Sequence, residues 1–243
     1  AGHAEAGALR LQGIGHRADD GDFEAVNEIA KRSKNSVICG LSRAGQKDID
    51  RCAEAIRPAK RGRIHTFLST SPVHMKYKLQ LEPDAVHDLV ISSVTRARNH
   101  TDDVEWSSED GTRTEFDFLC RCVESAIKAG ATTINIPDTV GYSVPEEYYD
   151  LFKRVRENVP NSDKAVFSVH CHNDLGMAVA NSMAGVRGGA RQVEGTINGI
   201  GERAGNAARE EIVIAINVRK DKFPWGKRSD TTRLTSASEM VSD

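Results

Sequence analysis

Ala165-Val166-Phe167-Ser168-Val169-His170-Cys171-His172-Asn173-Asp174 is the stretch on which the reading of this chain turns. Its apolar run predicts a buried strand over 165–172, ending in two histidines and a polar turn. Alternate residues of a strand share a face, so both imidazoles point one way and Cys171 packs on the other. A helical pattern follows over 175–188. A strand that carries polar groups at its carboxyl end and feeds a helix is the unit of a parallel α/β sheet.

Outward from that unit the same alternation repeats. Toward the amino terminus, strand patterns at 36–41, 63–70, 104–109 and 132–137 are followed by helices at 46–59, 82–99, 114–129 and 145–158. Pro83 suits a first helical turn and Gly130 a helix cap. Toward the carboxyl terminus, a strand at 192–197 leads through Gly199-Ile200-Gly201-Glu202-Arg203-Ala204-Gly205-Asn206 to a helix at 207–219. A helix at 22–33 precedes the first firm strand, and only 8–14 offers a weak strand before it. Six firm βα units imply right-handed crossovers and a parallel sheet. An open doubly wound sheet gathers its site at one switch point. Here polar residues end almost every strand (His65, Glu109, Asp138, His172, Asn198), which favours a (β/α)8 barrel that lacks its first two strands or has them altered. The expected organisation is an atypical segment at 1–20, the barrel at 21–220, and the start of a linker at 221–243.

The bulk properties exclude several classes of function. A formal charge of -2 and a pI near 6.5 give no field for nucleic acid or an anionic membrane. No apolar run approaches the roughly 18 residues of a membrane span, and no secretory pattern opens the chain. Five cysteines without CxxC spacing argue against a disulfide framework or zinc knuckle and for a reducing, cytoplasmic setting.

The candidate chemistry lies at the strand ends. His170 and His172 on one face can reach a single divalent ion, the alternative being two core histidines with hydrogen-bond partners. Asp174 is a candidate cap for the following helix. Gly199–Asn206 is not a dinucleotide fingerprint, since its spacing is GxGxxxG. It offers free amides for an anion and, in Asn206, a neutral oxygen ligand; the alternative is a tight loop with a Glu202–Arg203 surface pair. His65, Phe67 and Ser69 share one strand face, as do Ser107 and Glu109, and Asn135 to Gly141 ends a strand in a polar turn. Such groups beside a Lewis-acidic ion can orient and polarise a keto acid. His87 and His100 read as residues of a surface helix.

At these motifs the chain resembles the acyl-CoA-condensing barrel family that holds the isopropylmalate, homocitrate and citramalate synthases, with the hydroxymethylglutaryl-CoA lyases as cousins. The resemblance rests on Gly21-Asp-Phe-Glu-Ala-Val26, His65-Thr-Phe-Leu-Ser-Thr-Ser71, Glu109-Asp-Gly-Thr-Arg113 and Asn135-Ile-Pro-Asp-Thr-Val-Gly141, together with 170–174 and 199–206. It implies a barrel that holds Mn²⁺ or Mg²⁺, or Zn²⁺, through His170, His172 and Asn206. It implies that His65, Ser107, Glu109 and Thr139 line a pocket for a 2-oxo acid, with Glu109 and His65 catalytic. The implied reaction joins acetyl-CoA to 2-oxoisovalerate on the route to leucine, and family members work as homodimers.

Three departures shape the expectations. The family's Arg-Asp motif on its first strand has no counterpart in 1–20, which predicts weakened metal affinity and an inactive isolated chain. Gly195 stands where the family has a cysteine, and Arg209 where an apolar residue packs. The family's later segments, with a catalytic His and Tyr and a regulatory domain, do not follow. The competing readings are a homocitrate or citramalate synthase, a metal-dependent aldolase or lyase, and a non-catalytic fragment.

Overall fold

A computed structural model describes residues 10–12, 20–224 and 231–242, with side chains from 23 onward. In chain order the elements are β1 (Arg10–Gln12), α1 (Asp20–Arg32), β2 (Ile38–Arg43), α2 (Gln46–Ile56), β3 (Gly62–Ser69) and the short α3 (Pro72–His74), which runs into a π-helical turn at Met75–Leu79. They continue as α4 (Pro83–Arg98), β4 (Val104–Glu109), α5 (Phe116–Ala129), β5 (Thr133–Asp138), α6 (Pro145–Asn158) and β6 (Val166–Cys171). The last are α7 (Ala178–Gly188), β7 (Gln192–Glu194), α8 (Arg209–Val218) and α9 (Leu234–Ser242). Each strand is followed by a helix, and the described pairings within each unit are parallel. This is the α/β alternation that the sequence predicts. The weak strand at 8–14 contains β1; the rest of the 1–20 segment lies outside the described residues, apart from Asp20.

The described residues form two compact units. The first comprises 20–136 and 155–165. Within it β2, β3, β4 and the start of β5 pair side by side, with Leu41 opposite His65, His65 opposite Glu105, and Ser107 opposite both Phe67 and Asn135. Ile64, Trp106 and Ile134 are fully buried on the strands, as are Val86, Val90, Val94, Leu119 and Val123 on the helices. Burying each aliphatic side chain of this size contributes about 1.5–3 kcal/mol. Pro83 opens α4 at its first turn, and Gly130 closes α5 with φ 115°, a left-handed conformation that suits glycine. His87 is not a surface residue: it is buried, with Nε2 at 2.8 Å from Ser125 Oγ, because the face of α4 that meets α5 includes it.

The second unit comprises 10–12, 137–154, 166–224 and 231–242. Here β7 lies between β1 and β6, with Val193 opposite both Leu11 and Val169 and Glu194 opposite His170. Its core holds Tyr148 and Phe152, whose rings meet edge-on at 5.0 Å, with Val169, Val193 and Ile212. The close seat of α7 on β6 depends on Gly185, where an added Cβ would stand 2.5 Å from Val169 Cγ1. Gly195 also sits at a close approach, since a Cβ there would lie 2.7 Å from the Ala207 carbonyl oxygen. Arg209 points to solvent and so displaces no packing. The stretch expected to be a linker contains α9, on which Asn198 fastens by donating Nδ2 to Ser238 O and Ser242 Oγ at 3.0 and 3.1 Å. Leu234, Ala237 and Ser238, at helical spacing, are its half-buried face. Among the described residues no helix is long and apolar enough to cross a membrane.

Candidate functional site

The strand ends of the first unit carry two side-chain groups. In one, His65 Nε2 lies 2.6 Å from Ser107 Oγ, which also accepts a hydrogen bond from Asn135 Nδ2 at 2.8 Å. Parallel register sets Asn135 opposite Ser107, while His65 lies two residues before Phe67, the partner of Ser107 on β3, and reaches Ser107 diagonally; all three are buried. Asn135 is therefore part of this group, although the motif 135–141 alone did not single it out. The signal was there in its register with Ser107. In the other group Glu109, two residues beyond Ser107 and on the same strand face, accepts from Ser69 Oγ at 2.5 Å. Lys78 Nζ donates to both its oxygens, at 2.7 and 2.8 Å. Lys78 comes from the π-helical turn after β3, and Gln80 ends that turn in the left-handed region at φ 54°. Sequence periodicity gave no hint of Lys78, since a π turn breaks the helical spacing that reveals a face.

Deeper in the same unit, Cys39, His65 and Glu105 offer a sulfur, a ring nitrogen and a carboxylate oxygen that all lie within 4.8 Å of one another. A cation already serves this cluster. Arg63, itself buried, donates Nη1 to Glu105 at 2.9 Å and Nε to Asp103 at 2.8 Å. Burial opposes the guanidinium charge, but Glu105 and Asp103 outweigh it and hold Arg63 firmly protonated. A divalent ion beside it would meet repulsion from a charge already in place.

The second unit holds the histidine pair. His170 Nε2 and His172 Nε2 face each other at 3.1 Å. Adjacent ligands of an octahedral ion bound at about 2.2 Å stand about 3.1 Å apart, so the spacing suits two ligands of one cation. Behind His170, the carboxylate of Glu194 accepts from Nδ1 at 3.0 Å and is in turn held by Ser168 Oγ at 2.9 Å. A carboxylate behind a ligating imidazole fixes its tautomer and raises its basicity. Glu194 was missed in the sequence. The cue was its place opposite His170 in the β6–β7 register.

The turn 199–206 brings Asn206 beside this pair. Its backbone forms a bridge with His172, and Ala207 N–H donates to Cys171 O at 3.0 Å. Asn206 Nδ2 donates to Ile200 O at 3.1 Å, while its buried Oδ1 has no hydrogen-bond partner among the described residues. Glycine at 201 is needed because a Cβ there would run into the Asn206 amide. Two imidazole nitrogens and an orphaned amide oxygen are a neutral donor set that fits a small divalent cation.

Arg203 is the second residue the sequence undervalued. It pairs mainly with Asp174, Nε to Oδ1 at 2.8 Å and Nη2 to Oδ2 at 2.9 Å, with Glu202 only at 3.6 Å. Nη2 also donates to Thr139 O at 2.8 Å and faces His172 Nδ1 at 2.7 Å. Asp174 is thus occupied by Arg203, and its carboxyl is held below the usual range chiefly by that hydrogen bond. The amide of Ala178 at the start of α7 is met instead by Asn173 Oδ1 at 3.1 Å. The helix consequently begins three residues later than its pattern suggested. Burial and then the Arg203 charge push the His172 imidazole below its ordinary value, so it is held neutral. Cys171, on the opposite strand face, is fully buried and its thiol is pushed up to about 12. Asp138 is also structural: it accepts the amides of Tyr142 and Ser143 at 3.3 and 3.2 Å.

Comparison with known proteins supplies the family context. The HMGL-like family model matches residues 13–241. The chain is 85% identical over 225 residues to 2-isopropylmalate synthase of Bradyrhizobium sp. (strain BTAi1 / ATCC BAA-1182) and 86% identical to that of Bradyrhizobium sp. (strain ORS 278). Each match covers 93% of this chain and 43% of the relative, so the chain spans about two fifths of the length of the curated relatives it matches. Among solved structures, hydroxymethylglutaryl-CoA lyase from Pseudomonas aeruginosa shares the fold with a TM-score of 0.75 at 15% identity, covering 96% of this chain and 92% of that one.

Proposed function

The chain belongs to the HMGL-like family, and on that footing we propose that it is part of the catalytic barrel of a 2-isopropylmalate synthase. The proposed reaction condenses acetyl-CoA with 2-oxoisovalerate and, with one water, gives 2-isopropylmalate and CoA. The observation that carries the reading is the facing pair His170 and His172, with Glu194 behind it and Asn206 joined to His172 through the backbone, in a chain so similar to synthases of that name.

In this reading His170, His172 and Asn206 hold a divalent cation, Mn²⁺ or Mg²⁺ or else Zn²⁺. Such an ion supplies Lewis-acid polarisation of a 2-oxo acid's carbonyl and stabilises the charge that grows on its oxygen. Glu194 keeps the proton of His170 on Nδ1, so that Nε2 presents a lone pair. His65 and Ser107 bind and orient the 2-oxo acid in this reading, and Asn135 steadies Ser107 by donating to its Oγ. Glu109, which accepts hydrogen bonds from Lys78 and Ser69, takes a proton from the acetyl methyl group. The methyl carbon then forms its bond to the keto carbon, whose oxygen gains a proton. Water cleaves the thioester and CoA leaves with its thiol proton.

The test is release of CoA from acetyl-CoA in the presence of Mn²⁺, with 2-oxoisovalerate, pyruvate and 2-oxoglutarate as alternative acceptors. The protein used is the full-length one carrying this sequence. Release that depends on 2-oxoisovalerate and is lost in Glu109→Gln is the expected result. Preference for another acceptor, or cleavage of hydroxymethylglutaryl-CoA without condensation, would overturn the reading.

A further inference from the structure

The hydrogen bonds around the histidine pair form a chain whose direction is fixed at both ends. At one end the Glu194 carboxylate only accepts, so His170 carries its proton on Nδ1 and presents a lone pair at Nε2. At the other end Arg203 Nη2 lies 2.7 Å from His172 Nδ1. A guanidinium nitrogen donates and never accepts, so a proton on His172 Nδ1 has no place at that distance. Neutral His172 then bears its proton on Nε2 and donates it across the 3.1 Å gap to His170 Nε2. The chain runs Arg203 to His172 to His170 to Glu194, with every donor matched to an acceptor. It also places a proton on the Nε2 atom that a metal ion needs.

The same contacts show how this arrangement is released. Arg203 Nη2 carries two hydrogens and faces three acceptors: Thr139 O at 2.8 Å, Asp174 Oδ2 at 2.9 Å and His172 Nδ1. Leaving His172 therefore strips no hydrogen of its partner, since Thr139 and Asp174 take both. Arg203 sits in the left-handed region at φ 54°, on a turn between Gly201 and Gly205, and its side chain is 43% exposed, so solvent is open to it.

We infer that Arg203 is a latch on the histidine pair: seated on His172 Nδ1 it excludes the tautomer in which His172 Nε2 is a ligand, and a divalent cation is held only once Arg203 has let go. The inference rests on the proposed metal role of His170 and His172 and adds to it a residue that sets affinity without touching the ion. During loading the proton leaves His172 Nε2 and one is taken up at Nδ1 through solvent, with no net gain or loss. Arg203 is a positioning residue in this account, acting through His172. Its charge and its hydrogen bond work against the cation in the same direction.

The test titrates the metal-free chain with Zn²⁺ by calorimetry, in parallel with Arg203→Met and His172→Ala, and reads the His172 tautomer by ¹H–¹⁵N imidazole correlation. The unaltered chain should show the proton on His172 Nε2 without metal and on Nδ1 with Zn²⁺, and Arg203→Met should bind about tenfold more tightly, the lower end expected for losing a hydrogen bond to a charged donor. A proton already on Nδ1 in the metal-free chain would overturn the inference, and that measurement needs no variant to fold. So would binding that His172→Ala abolishes but Arg203→Met leaves unchanged or weakens, which would leave the metal reading standing. Zn²⁺ binding indifferent to His172→Ala would remove both.

Discussion

Replacing Glu105 by Gln should destabilise the protein by about 3 kcal/mol, the low end of the loss seen when one partner of a buried ion pair is removed. Glu105 is fully buried and Arg63 is 3% exposed, so the Gln side chain leaves a guanidinium without its buried counter-charge. The low end applies because Asp103, about a third exposed, still accepts from Arg63 Nε. At a slope of about 3 kcal/mol per molar urea, that loss moves the unfolding midpoint down by about 1 M. The double change Arg63→Met with Glu105→Leu should recover most of it, because an apolar pair has no charge to desolvate. Urea unfolding followed by circular dichroism measures all three proteins. A Glu105→Gln midpoint within about 0.3 M of the parent, or a double variant weaker than the single one, would refute the ion-pair account. It would also reopen Cys39, His65 and Glu105 as donors awaiting a metal.

Glu194→Gln removes the negative charge behind His170 while keeping the shape, so Mn²⁺ affinity by calorimetry should fall about tenfold; no change would mean that Glu194 does not tune the site. Asp50 is held down to about 2 by its hydrogen bonds from Arg96 and then His100. Its contribution to stability is complete above the ordinary 3.8 and disappears as pH falls through about 2, and in Arg96→Ala its carboxyl ¹³C midpoint should rise toward 3.8. A parent midpoint already at 3.8 would contradict the contact. Gly188→Ala sets helix propensity against packing. Alanine favours a helix by about 1 kcal/mol, but its Cβ would lie 2.6 Å from Tyr149 O and 2.9 Å from Phe152 Cβ, and overpacking of this kind costs about 1–3 kcal/mol. A lower melting temperature is expected, and a higher one would show that α6 and α7 can move apart.

Much of the fold was legible because apolar runs and helical spacing are local properties. Val104–Glu109 and Pro145–Asn158 have the bounds their patterns predict. The errors have local causes too. The turn before α7 reads as helical from Leu175, yet Asp174 is drawn to Arg203, and the cap comes from Asn173. Helix α9 hides in a polar sequence because only Leu234, Ala237 and Ser238 turn inward. The site was legible where a motif compresses it, as in His170 and His172, or in Ser107 and Glu109. Glu194, Asn135, Lys78 and Arg203 were not, since each acquires its role from strand register or from a turn that carries it to a partner distant in sequence.

The central claim is that His170, His172 and Asn206 form a metal site within this chain. Calorimetric titration of the metal-free protein with Mn²⁺, beside His172→Ala, tests it most directly. The account predicts saturable binding of one ion that the variant loses, because one of the two facing nitrogens is gone. Equal heats from the two proteins would contradict it.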